Sequence, residues 1–171
     1  MNRFVFDCEA DGLLDTVSKV HCISFQDLDS DEVVTYEGQD RRNIGNMFAG
    51  AGLICGHNIC GYDIPLLEQF YGIDCSMTIF DTLVMSQLFR PDRQLPPGCP
   101  TSTPNPVTGK KDTIGPHSLY AWTFKVDGKK PHIYDWRDQP LEVYIDRCEE
   151  DVRTTKKVFE YLLREYNSYE N

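Results

Sequence analysis

The sequence predicts an α/β domain: a sheet whose first strand is buried on both faces, with helices packed against it. Three observations predict it. Arg3 to Cys8 is a near-continuous apolar run, the pattern of a central strand. Strand-like and helix-like segments alternate after Gly52, and a long amphipathic segment closes the chain. The length of 171 residues suits one domain over 1–171, which would bury about 70 % of its unfolded surface. Apolar residues make up 40 % and charged residues 26 %, and no apolar run approaches the ~18 residues of a membrane span. A soluble protein without a membrane partner is expected. Met1 to Asp7 reaches an acid before any export signal could form. The 7 cysteines include no Cys-x-x-Cys pair, which fits reduced thiols and a cytoplasmic location.

Taken in order, Lys19 to Phe25 and Glu32 to Tyr36 read as the second and third strands. The acidic segment Asp27-Leu28-Asp29-Ser30-Asp31 between them is a hairpin turn, so this pair should be antiparallel. Gly52 to Cys55 is a short fourth strand. Ile64 to Tyr71 has helical spacing, Thr78 to Phe80 is a fifth strand, and Thr82 to Phe89 another helix. Six prolines between Pro91 and Pro106 exclude regular structure there and predict a mobile surface loop over about 91–114. Tyr120 and Phe124 share one face of a short helix that His117 starts, and both read as core. In the last helix Leu141, Ile145, Cys148, Val152, Thr155, Phe159, Leu162 and Tyr166 form an apolar stripe. Arg147 and Asp151 lie one turn apart on its flank, where it meets solvent.

A net charge of −10 argues against a polyanionic partner. The distribution is uneven, however: residues 110 to 137 carry six basic groups against three acids, interleaved with Tyr120, Trp122, Phe124, Tyr134 and Trp136. Such a mixture suits phosphates and stacked bases.

The acids hold the chemistry. Asp7 and Glu9, two apart in a strand, leave the same face near its carboxyl end. A strand apolar on both sides should not bury two carboxylates unless a cation compensates them. Asp63 opens a helix, where an acid also serves as a cap, and Asp151 belongs to the last helix. An α/β layer can bring all four together above the first strand. Hard oxygen ligands suit Mg²⁺ or Mn²⁺ rather than zinc. Two ions about 4 Å apart activate a water and stabilise the leaving oxygen of a phosphodiester.

These residues resemble a known family, the 3′→5′ exonucleases with four catalytic carboxylates. Phe4-Val5-Phe6-Asp7-Cys8-Glu9 matches its first motif, His57-Asn58-Ile59-Cys60-Gly61-Tyr62-Asp63 its second, and Asp151-Val152-Arg153-Thr154-Thr155 its third. Further similarity in Ile79 to Ser86 and Gly115 to Trp122 points to the proofreading domains of bacteriophage family-A DNA polymerases. The resemblance implies a ribonuclease-H-like fold, with three antiparallel strands followed by two parallel to the first. It implies release of nucleoside 5′-monophosphates from single-stranded or frayed DNA ends. Asp7, Glu9, Asp63 and Asp151 would serve two ions, Asn58 would touch the terminal nucleotide, and Asp81 would have a structural role. Lys110, Lys111 and His117 are the further candidates for strand binding. A separate DNA polymerase is an implied partner, the chain being too short to carry a polymerase domain, and the location is host cytoplasm if the source is viral.

One departure stands out. Family members carry Tyr four residues before the last Asp, or His five before. Here those places hold Arg147 and Asp146. Arginine stays protonated and cannot be a general base, so a site-facing Arg147 would stabilise charge or orient water. Two alternatives remain open: a non-catalytic nucleic-acid or polymerase-binding module derived from such an enzyme, and an oligoribonuclease-like enzyme acting on RNA.

Overall fold

The computed structural model describes residues 2–130 and 139–168. Tyr134, Trp136 and Arg137, counted above in the basic stretch, lie outside the described residues. A five-stranded sheet has the order β3-β2-β1-β4-β5. Its strands are β1 (Asn2–Ala10), β2 (Val20–Asp27), β3 (Val33–Glu37), β4 (Ala51–Gly56) and β5 (Thr78–Asp81). β1 runs antiparallel to β2, which runs antiparallel to β3. β4 is parallel to β1, and β5 to β4. The mixed sheet with helices on both sides is the architecture that the resemblance implied.

β1 lies at the centre because its two faces are both apolar for most of its length. Phe4, Phe6 and Cys8 point to one side, where Phe25, Phe48, Leu66 and Leu67 complete a core. The helices on this side are α1 (Arg41–Ala49) and α2 (Asp63–Tyr71). Val5 points to the other side, into a second core with Cys55, Trp122, Val152, Val158, Phe159 and Leu162. That layer is built from α3 (Thr82–Phe89), α4 (Leu119–Val126) and α5 (Leu141–Asn167). Asp7 and Glu9 follow Val5 at the strand period of two, so their side chains continue onto the α5 side. A register shift in the β1–β2 pairing between Glu9 and Ala10 ends the regular ladder at the acids.

Several expectations need correction. The stretch 91–114 is not structureless. Ser102–Pro104 (β6) and Lys111–Thr113 (β7) pair as an antiparallel hairpin. The prolines are accommodated because Pro104 closes β6 in a two-stranded ribbon with open edges. Ile114 is buried, and its N–H donates to the Thr101 carbonyl, which closes the base of the hairpin. α1 has no counterpart in the sequence reading: its apolar signal is reduced to Ile44, Met47 and Phe48, with Gly45 between them. What starts it is Asp40, whose carboxylate accepts the Asn43 N–H.

α4 begins after Ser118, which caps it through Ala121 N–H, so His117 precedes the helix. Phe124 is exposed rather than core, and Tyr120 packs edge-on against it at 5.5 Å; Trp122, between them, is the residue that enters the core. α5 is buried more widely than one stripe predicts. Tyr144, Arg147, Asp151, Thr154 and Val158 are also buried, whereas Tyr166 is exposed. Arg147 and Asp151 therefore do not lie at the solvent margin: Arg147 is packed against Glu9 of β1, and Lys130 reaches over Asp151.

Candidate metal and nucleic-acid site

At the carboxyl end of β1 the sheet stops being apolar while remaining covered. Glu9 and Asp151 are 5 % and 2 % exposed. Asp7, Glu9 and Asp151 each offer a carboxylate oxygen, and these oxygens lie within 4.8 Å of one another. The strand contributes two acids by its period. α5 contributes the third because Cys148, one turn before, is fully buried against β1 and β2, with its thiol donating to the Asp7 carbonyl at 3.2 Å.

Asp63 is buried beside this group but engaged elsewhere: its Oδ1 accepts the Cys8 N–H at 2.9 Å. It makes no side-chain cap for its own helix, whose N-cap is Tyr62. That bond clamps the start of α2 onto the backbone between Asp7 and Glu9. Asp81 does what its position suggested. It caps α3 through Leu83 and Val84 N–H and also accepts the Asn58 and Cys60 N–H groups, fixing the turn before Asp63.

Crowding acids out of water favours their neutral forms. Burial, and then the charges of Asp63, Asp151 and Glu9, hold the Asp7 carboxyl well above its usual range. Burial pushes Glu9 up to about 8 despite the opposing pull of Arg147. Asp63 is raised to about 7, burial outweighing the bonds from Cys8.

Among the described residues, two cations face the acids. Arg147 Nε donates to Asp151 Oδ2 at 2.9 Å and lies 3.5 Å from Glu9 Oε1. Its side chain is 9 % exposed. Burial opposes its charge, but Asp151 and Glu9 outweigh it, so the guanidinium is held more firmly protonated than usual. Lys130 Nζ donates to the same Asp151 Oδ2 at 2.6 Å. Sequence reasoning did not single out Lys130, which appeared only as one charge in a basic stretch. Its place is set by Gly128 and Thr154. The Thr154 hydroxyl donates to the Lys129 carbonyl and accepts its N–H, and a Cβ on Gly128 would come within 2.6 Å of that same hydroxyl. The only local hint is Asp127-Gly128, a helix-ending pair in which Asp127 takes the left-handed conformation.

The Asp151 Oδ1 atom is buried without a hydrogen-bond partner among the described residues. A buried carboxylate oxygen left in this way has a lone pair free to ligate a cation. Hard oxygens from Asp7, Glu9 and Asp151 fit Mg²⁺ or Mn²⁺.

Two cavities lie near the acids, one lined by Glu9 itself and the other by Lys130, which contacts Asp151. One is lined by Cys8, Glu9, Asp11, Leu13 and Tyr62, with Leu13 72 % exposed. The other, more open, is lined by His57, Asn58, Gln87, His117, Tyr120 and Lys130. Asn58 has φ 66° and its side chain is exposed above Gly61. His57 accepts from or donates to Thr82 Oγ1 at 2.9 Å, and burial followed by Lys130 lowers its pKa to about 4. His117 pairs with Ser86 Oγ at 2.8 Å. Lys110 and Lys111 are exposed on the β6–β7 hairpin and line neither cavity.

No family model matches the chain. A DNA-directed DNA polymerase of Escherichia phage T7 is 29 % identical over 93 % of this chain, which spans only 26 % of that protein. Among solved structures, a family B DNA polymerase of the archaeon Pyrobaculum calidifontis superposes with a TM-score of 0.55 at 16 % identity, covering 95 % of this chain and 24 % of its own. RNase D of Trypanosoma brucei gives 0.55 at 14 %, covering 94 % and 57 %. Phi29 DNA polymerase, complexed with single-stranded DNA, gives 0.51 at 12 %, covering 97 % and 32 %. These structures share the fold. Sheet topology and the phage polymerase match thus agree with the resemblance to four-carboxylate exonuclease domains that the sequence motifs carry.

Proposed function

We propose that the chain is a metal-dependent 3′→5′ exonuclease that shortens single-stranded or frayed DNA ends to nucleoside 5′-monophosphates. The observation that carries the reading is the meeting of Asp7, Glu9 and Asp151 within 4.8 Å, with Asp151 Oδ1 unpartnered among the described residues. Asp7, Glu9 and Asp151 would hold Mg²⁺ or Mn²⁺, and Asp63 would act through the backbone it clamps. A bound divalent cation polarises the phosphodiester and lowers the pKa of attacking water. The residues do the rest. Arg147 and Lys130 offer positive charge beside the acids, which offsets the repulsion between an acidic protein and a polyanion. The flanking cavities, one apolar at Leu13 and Tyr62 and one polar at Asn58 and His117, give the last nucleotides a place to lie. Lys110 and Lys111, on the exposed hairpin, would meet the strand further from its end. With DNA as substrate, a separate polymerase is the natural partner.

A 3′-labelled single strand should lose mononucleotides when Mg²⁺ or Mn²⁺ is supplied. Asp7→Ala should abolish the loss and keep the native circular dichroism spectrum. An intact strand with the wild type in Mn²⁺ overturns the proposal, and an RNA strand run in parallel decides the substrate. One observation favours a second reading, a non-catalytic nucleic-acid-binding module. Arg147 and Lys130 already offset part of the buried negative charge, which lessens the need of the fold for metal. Such a module would bind strands equally well in EDTA, whereas the enzyme would bind them weakly.

A further inference from the structure

We infer that Arg147 and Lys130 take the place of one of the two metal ions, so that this chain binds a single divalent cation at its acid centre. The inference rests on the metal-dependent reading above and concerns how the site is charged. Among the described residues, four carboxylates in their ionised form against two cationic side chains leave a double negative charge, which one divalent ion neutralises. A second ion would leave the buried centre doubly positive, a state that desolvation penalises heavily.

The oxygens divide accordingly. Asp151 Oδ2 receives both Lys130 Nζ at 2.6 Å and Arg147 Nε at 2.9 Å. Asp151 Oδ1 has no partner among the described residues and is the oxygen left for an ion. Glu9 is shared in the same way, one of its oxygens lying 3.5 Å from Arg147. Asp63, whose charge a second ion would use, spends Oδ1 on the Cys8 N–H.

Arg147 cannot readily make way. It is buried on the same helix as Asp151, one turn before it, and a guanidinium does not lose its charge by deprotonation. Lys130, on a longer leash and 21 % exposed, adds to this centre without being locked in it. Arg147 is therefore a positioning residue for the acids: it presets their geometry in the metal-free protein and limits how many ions they accept.

The test is a titration of the full chain with Mn²⁺ alone, followed by calorimetry for stoichiometry and by electron paramagnetic resonance for coupling between neighbouring Mn²⁺ ions. The wild type should bind one ion at the acid centre with an uncoupled spectrum. Arg147→Met should bind two and show the coupled spectrum, and Arg147→Lys, which keeps the charge, should bind one. Arg147→Met should also lower the thermal midpoint of the metal-free protein, with Mn²⁺ restoring it. Two ions in the wild type overturn the inference, whether or not any variant folds. One ion in both wild type and Arg147→Met overturns it as well. Neither result touches the exonuclease reading, which the end-shortening assay judges separately; a wild type that binds no Mn²⁺ and leaves DNA intact removes both.

Discussion

The two faces of β1 are built from alternate residues of one strand and obey opposite rules. On the α1–α2 side, Phe4, Phe6 and Cys8 pack against Phe25 and Phe48, with ring centroids 5.2 Å apart in the Phe4–Phe25 and Phe6–Phe48 pairs. On the α5 side, Val5 is followed by Asp7 and Glu9, acids held out of water against a helix. The first face stabilises the fold by removing apolar surface from water. The second costs stability, since its carboxyls are driven toward their neutral forms. One strand supports both because the acids occupy only its carboxyl end, beyond Val5, which packs into the second core.

Single substitutions on each face can break that contrast. Phe6→Ala should cost about 3–5 kcal/mol in urea unfolding, the usual penalty for emptying an aromatic core position. Glu9→Gln should cost far less in the metal-free protein while reducing Mn²⁺ affinity, measured by calorimetry on the same preparations.

The contrast sharpens with pH. Glu9 and Asp63 bind protons more tightly folded than unfolded, with folded values of about 8 and 7. Their contribution is therefore complete below the unfolded value of about 4 and is lost as pH rises toward 8. The thermal midpoint of the metal-free protein should fall between pH 5 and pH 8. Glu9→Gln should flatten the slope, and saturating Mn²⁺ should remove most of it, with protons released on binding.

The smallest effect is expected at the edge of the site. Asp81→Ala deletes a helix cap and should cost about 1–2 kcal/mol. Because Asp81 also holds the Asn58 and Cys60 N–H groups, strand shortening should weaken more than this stability loss explains.

How much of this was legible in the sequence follows from which interactions are local. The strands and α5 announce themselves through periods of two and of 3.6, and Asp7, Glu9, Asp63 and Asp151 through motif spacing. Nothing local marks α1, where the cap at Asp40 and a packing site on the Phe4–Phe6 face compensate for a weak pattern. The burial of Arg147 goes with its contact to Glu9, on a strand far away in sequence. Lys130 was hidden for the same reason: its meaning comes from Asp151, 21 residues on, through a crossing that no periodicity encodes. The hairpin at 102–113 was missed because proline density masks two very short strands.

The close crossing at Gly128 has a consequence for how this protein can vary. A methyl group there would collide with Thr154, so the crossing chain would have to lift away and carry the neighbouring ammonium with it. Replacing one hydrogen by a methyl group, in a residue that carries no charge, would then retune the electrostatics of the acid centre. Drift at this glycine offers a route by which metal demand can change while every carboxylate stays in place.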